Sequence, residues 1–145
     1  MDSYKNRGVI HIGKHVLYYE DPGIAILVYD GPMSLEEMRI LCAIPDVPEH
    51  EGKCQFTLCD VRKFGGLDSA ARKEGSNRSR PSAIYFTAYV GASFTMKVVV
   101  GMWVRATNIL QGPKNVAGFF DDYESAKAWF LAHHAALTKG SNRPQ

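Results

Sequence analysis

Short apolar runs alternate with polar segments along most of the chain. Five runs have the length and the β-branched or aromatic content of strands, and they cover residues 15–20, 24–29, 55–59, 83–90 and 116–120. The first two flank Asp21-Pro22-Gly23, whose proline and glycine favour a tight turn, so they are predicted to form a hairpin. Longer segments separate the others and leave room for helices.

Four segments carry helical signals. The first begins at Ser34, where Ser-Leu-Glu-Glu has the spacing of a capping box, and the second begins near Asp68. The third covers residues 94–110 and ends at a Gly-Pro pair, and the fourth covers residues 121–137. The resulting order, ββαβαβαβα, predicts an α/β fold with a single-layer, mixed but mostly parallel sheet of about five strands, covered by about four helices.

Both ends of the chain are polar and lack a clear period. We therefore expect a peripheral N-terminal segment over residues 1–14, one domain over residues 15–137, and a flexible tail over residues 138–145. With 145 residues, 46% of them hydrophobic, the chain can bury a sizeable core in one domain.

Charge and cysteine content narrow the functional classes. A net charge of +2 is too mild to indicate nucleic-acid binding, so no nucleic-acid partner is expected. The three cysteines are odd in number, lack CxxC spacing and follow no leader pattern, which favours a reduced, cytoplasmic protein. The longest apolar runs fall well short of the ~20 residues of a spanning helix, so the protein is not expected to cross a membrane.

The most informative stretch covers residues 55–71. A short apolar strand ends at Asp60, a loop with Gly65 and Gly66 follows, and Asp68-Ser69 begins a helix. In open α/β sheets, ligands and partners gather where loops leave the carboxyl ends of strands. This stretch is therefore the first candidate for a functional site.

The spacing from Asp60 to Asp68-Ser69 resembles the STAS domain (sulphate transporter and anti-sigma-factor antagonist), in its SpoIIAA-like branch. Gly91-Ala92-Ser93 before the long helix, and the Ala-x-x-Trp of residues 126–129, resemble stand-alone bacterial proteins of that branch. The resemblance implies a non-enzymatic signalling domain, and it places the phosphoacceptor serine of the regulatory members at Ser69. Ala70 and Ala71 stand where those members have a second serine and a glycine.

Two readings stay open for the acidic and hydroxyl residues of this stretch. Ser69 at a helix N-terminus suits a phosphorylation switch, but Asp-Ser pairs are also ordinary helix caps. Asp60 is either an acceptor in a ligand site or a hydrogen-bonded structural aspartate.

A local basic cluster surrounds the stretch. Its members are Arg62, Lys63, Arg72, Lys73, Arg78 and Arg80. Such a cluster attracts an acidic protein surface, a phosphate or an anionic lipid headgroup, although many are simply solvated surface. The predicted partner-binding residues are Asp60, Arg62, Lys63, Asp68, Arg72 and Lys73.

The helix over residues 94–110 is more apolar than a one-sided helix requires. The favoured interpretation packs it on the sheet through Val98, Met102, Ala106 and Ile109. Its remaining apolar residues, notably Val99 and Trp103, are a candidate apolar interface, for example in a homodimer.

No catalytic motif is found. The sequence has no HExxH, P-loop or GxGxxG pattern. His133 and His134 are adjacent, so their side chains would point in different directions on a helix. We therefore expect no metal and no cofactor. Cys59 is most simply a buried small residue. A hydrolase would need a histidine beside Ser69 or Cys59.

The sequence therefore predicts a non-enzymatic, regulatory protein-interaction domain that binds an unidentified protein through the loop after the third strand and the start of the second helix. The alternative is a small-ligand or lipid-binding domain that uses the cleft under the helix of residues 94–110.

Overall fold

The architecture was analysed in a computed structural model that describes residues 3–50, 53–78 and 81–141. The strands are β1 (Ile10–Ile12), β2 (His15–Glu20), β3 (Ile24–Met33), β4 (Cys54–Leu67), β5 (Ile84–Val90) and β6 (Asn115–Phe120). The helices are α1 (Leu35–Ala43), α2 (Ser69–Ser76), α3 (Phe94–Gln111) and α4 (Tyr123–Ser141). Short 3-10 turns cover Tyr4–Asn6 and Pro48–His50.

The six strands form one sheet in chain order, β1-β2-β3-β4-β5-β6. β1, β2 and β3 pair antiparallel, and β3 through β6 pair parallel, each parallel neighbour being reached through a helix. The predicted α/β class, the mostly parallel sheet, the opening hairpin and the four helices are confirmed. The strand beyond the predicted five is β1, which lies within residues 1–14 and forms an edge of the sheet.

Each face of the sheet carries its own apolar cluster. On one face, Phe56 of β4 and Phe86 of β5 stack with ring centroids 5.4 Å apart, and Phe130 of α4 packs 5.3 Å from Phe56. On the other face, Leu27 and Val61 belong to a cluster that includes partly buried residues of α1 and the start of α3. Side chains alternate along a strand, so neighbouring residues of β4 serve opposite layers.

The central strand is longer than the sequence predicted. The strand expected over residues 55–59 extends to Leu67, so the predicted glycine loop is in fact extended backbone paired with the end of β3. Two register shifts interrupt that pairing, and a Cβ on Gly65 would lie 2.5 Å from the nitrogen of Pro32. Only a glycine permits this close approach, so the residue pair that signals a turn here serves strand packing instead.

The sheet-facing side of α3 also differs from the prediction. Val98, Met102 and Ile109 are exposed rather than packed on the sheet, as is Ala106. Of the 18 residues of α3, all within the described ranges, Thr107 alone is buried. The orientation follows from polar anchors: the Trp103 indole donates to Ser76 at 3.1 Å, and the Asn108 side chain exchanges hydrogen bonds with the backbone of residue 115.

Candidate functional site

Asp60 lies where the pairing of β4 with β5 ends, opposite Val90. It is 5% exposed, and its carboxylate accepts hydrogen bonds from three nitrogens of Arg62 and from the phenol of Tyr123. The distances are 2.6 Å from Arg62 Nη2 and 2.6 Å from Tyr123 Oη to Oδ2, and 2.9 Å from Arg62 Nε to Oδ1. Both carboxylate oxygens are therefore occupied from within the fold.

The groups around Asp60 favour the ionised form of its carboxylate. Burial tends to raise the pKa of Asp60, but hydrogen bonds from Arg62 and Tyr123 outweigh it and the pKa is lowered. Burial and the hydrogen bond to Asp60 raise the pKa of Tyr123, while the hydrogen bond to Asp60 raises the pKa of Arg62. At neutral pH an ionised Asp60 thus joins a cationic Arg62 and a neutral phenol, an arrangement typical of a structural ion pair rather than a general base.

The sequence does not predict the contact between Tyr123 and Asp60. It opens α4, directly after β6, so it lies at the same edge of the parallel sheet as Asp60. The one feature of the sequence that could have indicated this contact is that Tyr123 follows the carboxyl end of a predicted parallel strand. Gly91 completes the neighbourhood, because a Cβ there would lie 2.2 Å from Cγ of Arg62.

The second part of the predicted site lies at the start of α2. Asp68 is the N-cap, and its carboxylate accepts a hydrogen bond of 2.7 Å from the amide of Ala71. Ser69 is the first residue of the helix and is exposed. Ala71 is buried with Met33 and Met38 against α1, which anchors this turn.

The cations of α2 and of the extension of β4 have few partners. Arg72 and Lys73 are exposed one turn beyond Ser69, and Lys63 is exposed on the extension of β4. Arg72 donates to the carbonyl of Leu67 at 3.2 Å, and none of these three cations forms an ion pair with a described carboxylate. Arg78, in contrast, pairs with Asp46 at 3.6 Å, and Arg80 lies outside the described residues.

The predicted partner-binding residues therefore fall into two groups. Asp60 and Arg62 contact Tyr123 of α4, whereas Asp68 caps α2, and Arg72 and Lys73 lie on this helix, which packs against α1. Lys63 lies between the two groups along the chain, on the extension of β4. No hydrogen bond or ion pair among the described residues joins the two groups. The basic cluster proposed from the sequence is thus reduced, on the described surface, to Lys63, Arg72 and Lys73.

The remaining candidates have clear placements. Val99 is 55% exposed, whereas Trp103 is half-buried and hydrogen-bonded to Ser76. Burial raises the pKa of Cys59 to about 12, which keeps the thiol protonated and unsuited to nucleophilic attack. Cys42, Cys54 and Cys59 are all free thiols.

Neither a metal-binding cluster nor a membrane-spanning helix occurs in the described parts of the chain. No three His, Cys, Asp or Glu side chains there are grouped so as to hold a metal ion. No helix in those ranges combines the length and apolar character needed to cross a membrane.

The fold identifies the structural class. A crystal structure at 2.25 Å resolution of a Shewanella loihica PV-4 protein, described as an uncharacterized protein from the DUF3478 family with a SpoIIAA-like fold, is similar to this chain with a TM-score of 0.51. The match covers 84% of this chain and 93% of the other, at 15% sequence identity. No protein-family model matches the sequence, and no curated protein matches it. The chain has a SpoIIAA-like, STAS-type fold, as the sequence predicted.

Proposed function

We propose that this SpoIIAA-like domain is a non-enzymatic regulatory module that binds an acidic protein surface through a patch around the start of α2. This α2 patch consists of Asp68, Ser69, Arg72 and Lys73. The observation that carries the proposal is an exposed Ser69 with Arg72 and Lys73 on the next turn, none of these cations being paired with a described carboxylate. The cytoplasmic and bacterial setting predicted from the sequence belongs to the same proposal.

The packing beneath the patch supports its use for recognition. Met33, Met38 and Ala71 are buried together, so the first turn of α2 is held against α1 before any partner arrives. A preformed surface binds with less loss of conformational entropy than a loop that must be ordered. Asp60 and Arg62 have an indirect role in this proposal, because they stabilise the strand from which the patch projects.

Phosphorylation of Ser69 would control such a patch. Residues three and four positions apart lie on one side of a helix, so a phosphate on Ser69 would face Arg72 and Lys73. It would add about −1.5 to −2 charges and neutralise the attraction for an acidic partner. The neighbouring helix N-terminus would itself stabilise the added charge.

Affinity purification with the full chain as bait, in lysate of the native cell, tests the proposal. Wild-type protein is compared with an Arg72→Glu, Lys73→Glu double variant and with Lys14→Glu, which changes an exposed cation in the turn after β1 that pairs with no described carboxylate. We expect one partner to be retained by wild type and Lys14→Glu and lost from the double variant. Equal retention by the double variant, with an unchanged circular dichroism spectrum, would contradict the proposal.

The switch is tested with the partner so identified. Ser69→Asp should weaken binding by about tenfold or more, because a negative charge replaces the hydroxyl, whereas Ser69→Ala should bind like wild type. Equal affinities of the two variants would reject the switch while leaving the α2 patch intact.

A second candidate function is the binding of a small apolar or lipid-like ligand beneath α3. Met96, Val100 and Val104, on the side of α3 nearest the sheet, are only half-buried, which leaves apolar surface there for a ligand to cover. Native mass spectrometry of protein purified without detergent distinguishes this candidate. A retained apolar adduct supports it, and a clean mass for the unliganded chain counts against it.

A further inference from the structure

The side of α3 that points away from the sheet is apolar and exposed. We call it the outer face of α3. Its large members and their exposed fractions are Phe94 (82%), Val98 (46%), Val99 (55%), Met102 (61%), Ile109 (83%) and Leu110 (85%). At 3.6 residues per turn they fall within one arc of about 160° around the helix. This face forms a single patch rather than scattered exposed residues.

The outer face cannot simply turn inward. The Trp103 indole donates to Ser76 of α2 at 3.1 Å, and Asn108 both donates to and accepts from the backbone of Asn115 at 3.0 Å. Thr107 is buried between these two anchors. Rotating α3 to bury Met102 against the sheet would break these hydrogen bonds and expose Thr107, so the fold of the described residues leaves the apolar face uncovered.

The area of the face matches that of a specific interface. The six large side chains together expose on the order of 700 Å², close to the ~800 Å² per partner of a standard protein interface. Arg105 is the one charged residue within the arc, and it lies near one edge. A face of this size with almost no charge is large enough for a specific contact with a second subunit.

The pattern of the outer face is complementary to itself. If two copies of α3 cross antiparallel with Met102 near the twofold axis, Val98 meets Ala106 of the second copy and Thr95 meets Ile109 of the second copy. Small residues then face larger ones, as close packing requires. The aliphatic part of Arg105 lies on the same flank as Val98 of the second copy, and its charged end reaches solvent. Such a contact is isologous and closes a C2 dimer.

The same face is less suited to a membrane surface. Helices that lie in a membrane interface carry many Lys and Arg residues on their polar side, where they meet anionic lipids. α3 carries only Lys97 and Arg105 in its 18 residues, and its polar groups Trp103 and Asn108 are hydrogen-bonded within the fold. A second copy of the chain is the occupant that the composition favours.

We propose that the protein forms a homodimer through antiparallel packing of the outer face of α3 against the same face of a second copy, with Met102 near the twofold axis. This proposal is independent of the α2 patch.

Sedimentation equilibrium of the full chain tests the proposal. Wild-type protein is expected to be dimeric at micromolar concentration. Met102→Glu places two carboxylates together at the axis and should weaken the dimer by about 100-fold or more. Leu131→Glu is the matched control, because Leu131 is an apolar residue of α4 with a comparable exposed fraction of 49%. It should leave the dimer unchanged.

The position of Met102 near the twofold axis is tested separately with Met102→Cys. A residue at the twofold axis lies beside its own copy, so mild oxidation should link two chains in high yield, whereas Leu131→Cys should not. A wild-type chain that stays monomeric up to about 100 μM would overturn the proposal. So would equal dissociation constants for the two glutamate variants.

Vesicle flotation tests whether the outer face of α3 binds a lipid surface instead of a second copy of the chain. Vesicles of phosphatidylcholine with phosphatidylglycerol are mixed with wild type and with Met102→Glu. If the wild-type chain is monomeric in solution and floats with the vesicles, while the variant does not, the outer face of α3 binds lipid and the dimer proposal is wrong. If the variants of the α2 patch lose the protein partner but still form the dimer, the dimer proposal is supported independently of the proposed function.

Discussion

The phenol of Tyr123 donates a hydrogen bond of 2.6 Å to Oδ2 of Asp60, although the two residues are 63 positions apart. The contact joins the first residue of α4 to the point where β4 and β5 stop pairing. Because Arg62 occupies the rest of the carboxylate, Asp60 stabilises the fold at the edge where α/β proteins commonly place functional groups.

Tyr123→Phe should lower the free energy of unfolding by about 1–2 kcal/mol, because a largely buried ionised carboxylate loses one of its donors. Urea denaturation followed by circular dichroism measures the change. Tyr18→Phe is the control, since the Tyr18 hydroxyl forms no hydrogen bond with the described residues. This substitution should lower the free energy of unfolding clearly less than Tyr123→Phe does. Equal losses in the two variants would mean that the contact with Asp60 contributes little.

The lowered pKa of Asp60 predicts a loss of stability in acid. Its pKa in the folded state lies below the ~3.9 of an unfolded aspartate, so its contribution is present above about pH 4 and is lost as the pH falls through the folded-state pKa. Denaturant titrations between neutral and acidic pH should show wild type losing stability over this range. Asp60→Asn should be less stable at neutral pH and should show a shallower pH dependence.

Glu37 acts in the same direction and has to be separated from Asp60. Hydrogen bonds from the backbone of Ser34 at the capping box lower the pKa of Glu37. The Asp60→Asn, Glu37→Gln double variant should therefore show less acid dependence than either single variant. A pH dependence in Asp60→Asn identical to that of wild type would contradict the role of Asp60.

The buried side chain of His15 supports the end of β3. Nδ1 of His15 accepts a hydrogen bond of 2.9 Å from the amide of Asp30, where the pairing of β3 with β4 shifts register, and Nε2 lies 3.2 Å from the carbonyl of Pro32. His15→Leu would remove the acceptor of the Asp30 amide, and the loss of this hydrogen bond should cost about 0.5–1.5 kcal/mol. His11→Leu, at an exposed position of β1, is the control for chemical denaturation and should have little effect.

Two glycine substitutions should act in opposite directions. Gly65→Ala places a methyl group 2.5 Å from the backbone nitrogen of Pro32, which cannot move without disturbing β3, so we expect a loss of about 1–3 kcal/mol. Gly101→Ala, inside α3, meets nothing closer than 4.0 Å and should add about 0.5–1 kcal/mol through helix propensity. Thermal unfolding measures both. A stabilising Gly65→Ala would show that β4 and β3 do not approach as described.

Local signals in the sequence predicted several structural details. Ser34 and Glu37 form the expected capping box, in which the hydroxyl accepts from the Glu37 amide and the carboxylate accepts from the Ser34 amide. The Asp68-Ser69 pair does begin α2, with Asp68 as the cap. These signals are readable because every atom involved lies within four residues of its partner.

Other features depended on distant partners. The continuation of β4 past Asp60 depends on the close contact of Gly65 with Pro32 of β3, and two glycines in a row locally favour a turn. The rotation of α3 depends on Trp103 meeting Ser76 and on Asn108 meeting residue 115. A helix that is apolar on both sides has no period that tells which side faces the sheet.

The sequence by itself thus determined the order of elements from β2 to α4, the parallel sheet and the SpoIIAA-like fold, because alternating strand and helix patterns and their caps act over short distances. Only the tertiary structure decided that Asp60 is held by Tyr123, that the α2 patch is separate from it, and that the outer face of α3 is uncovered. Each of these depends on which side chains of distant segments meet after the sheet has formed, and a pattern within one segment does not encode that choice.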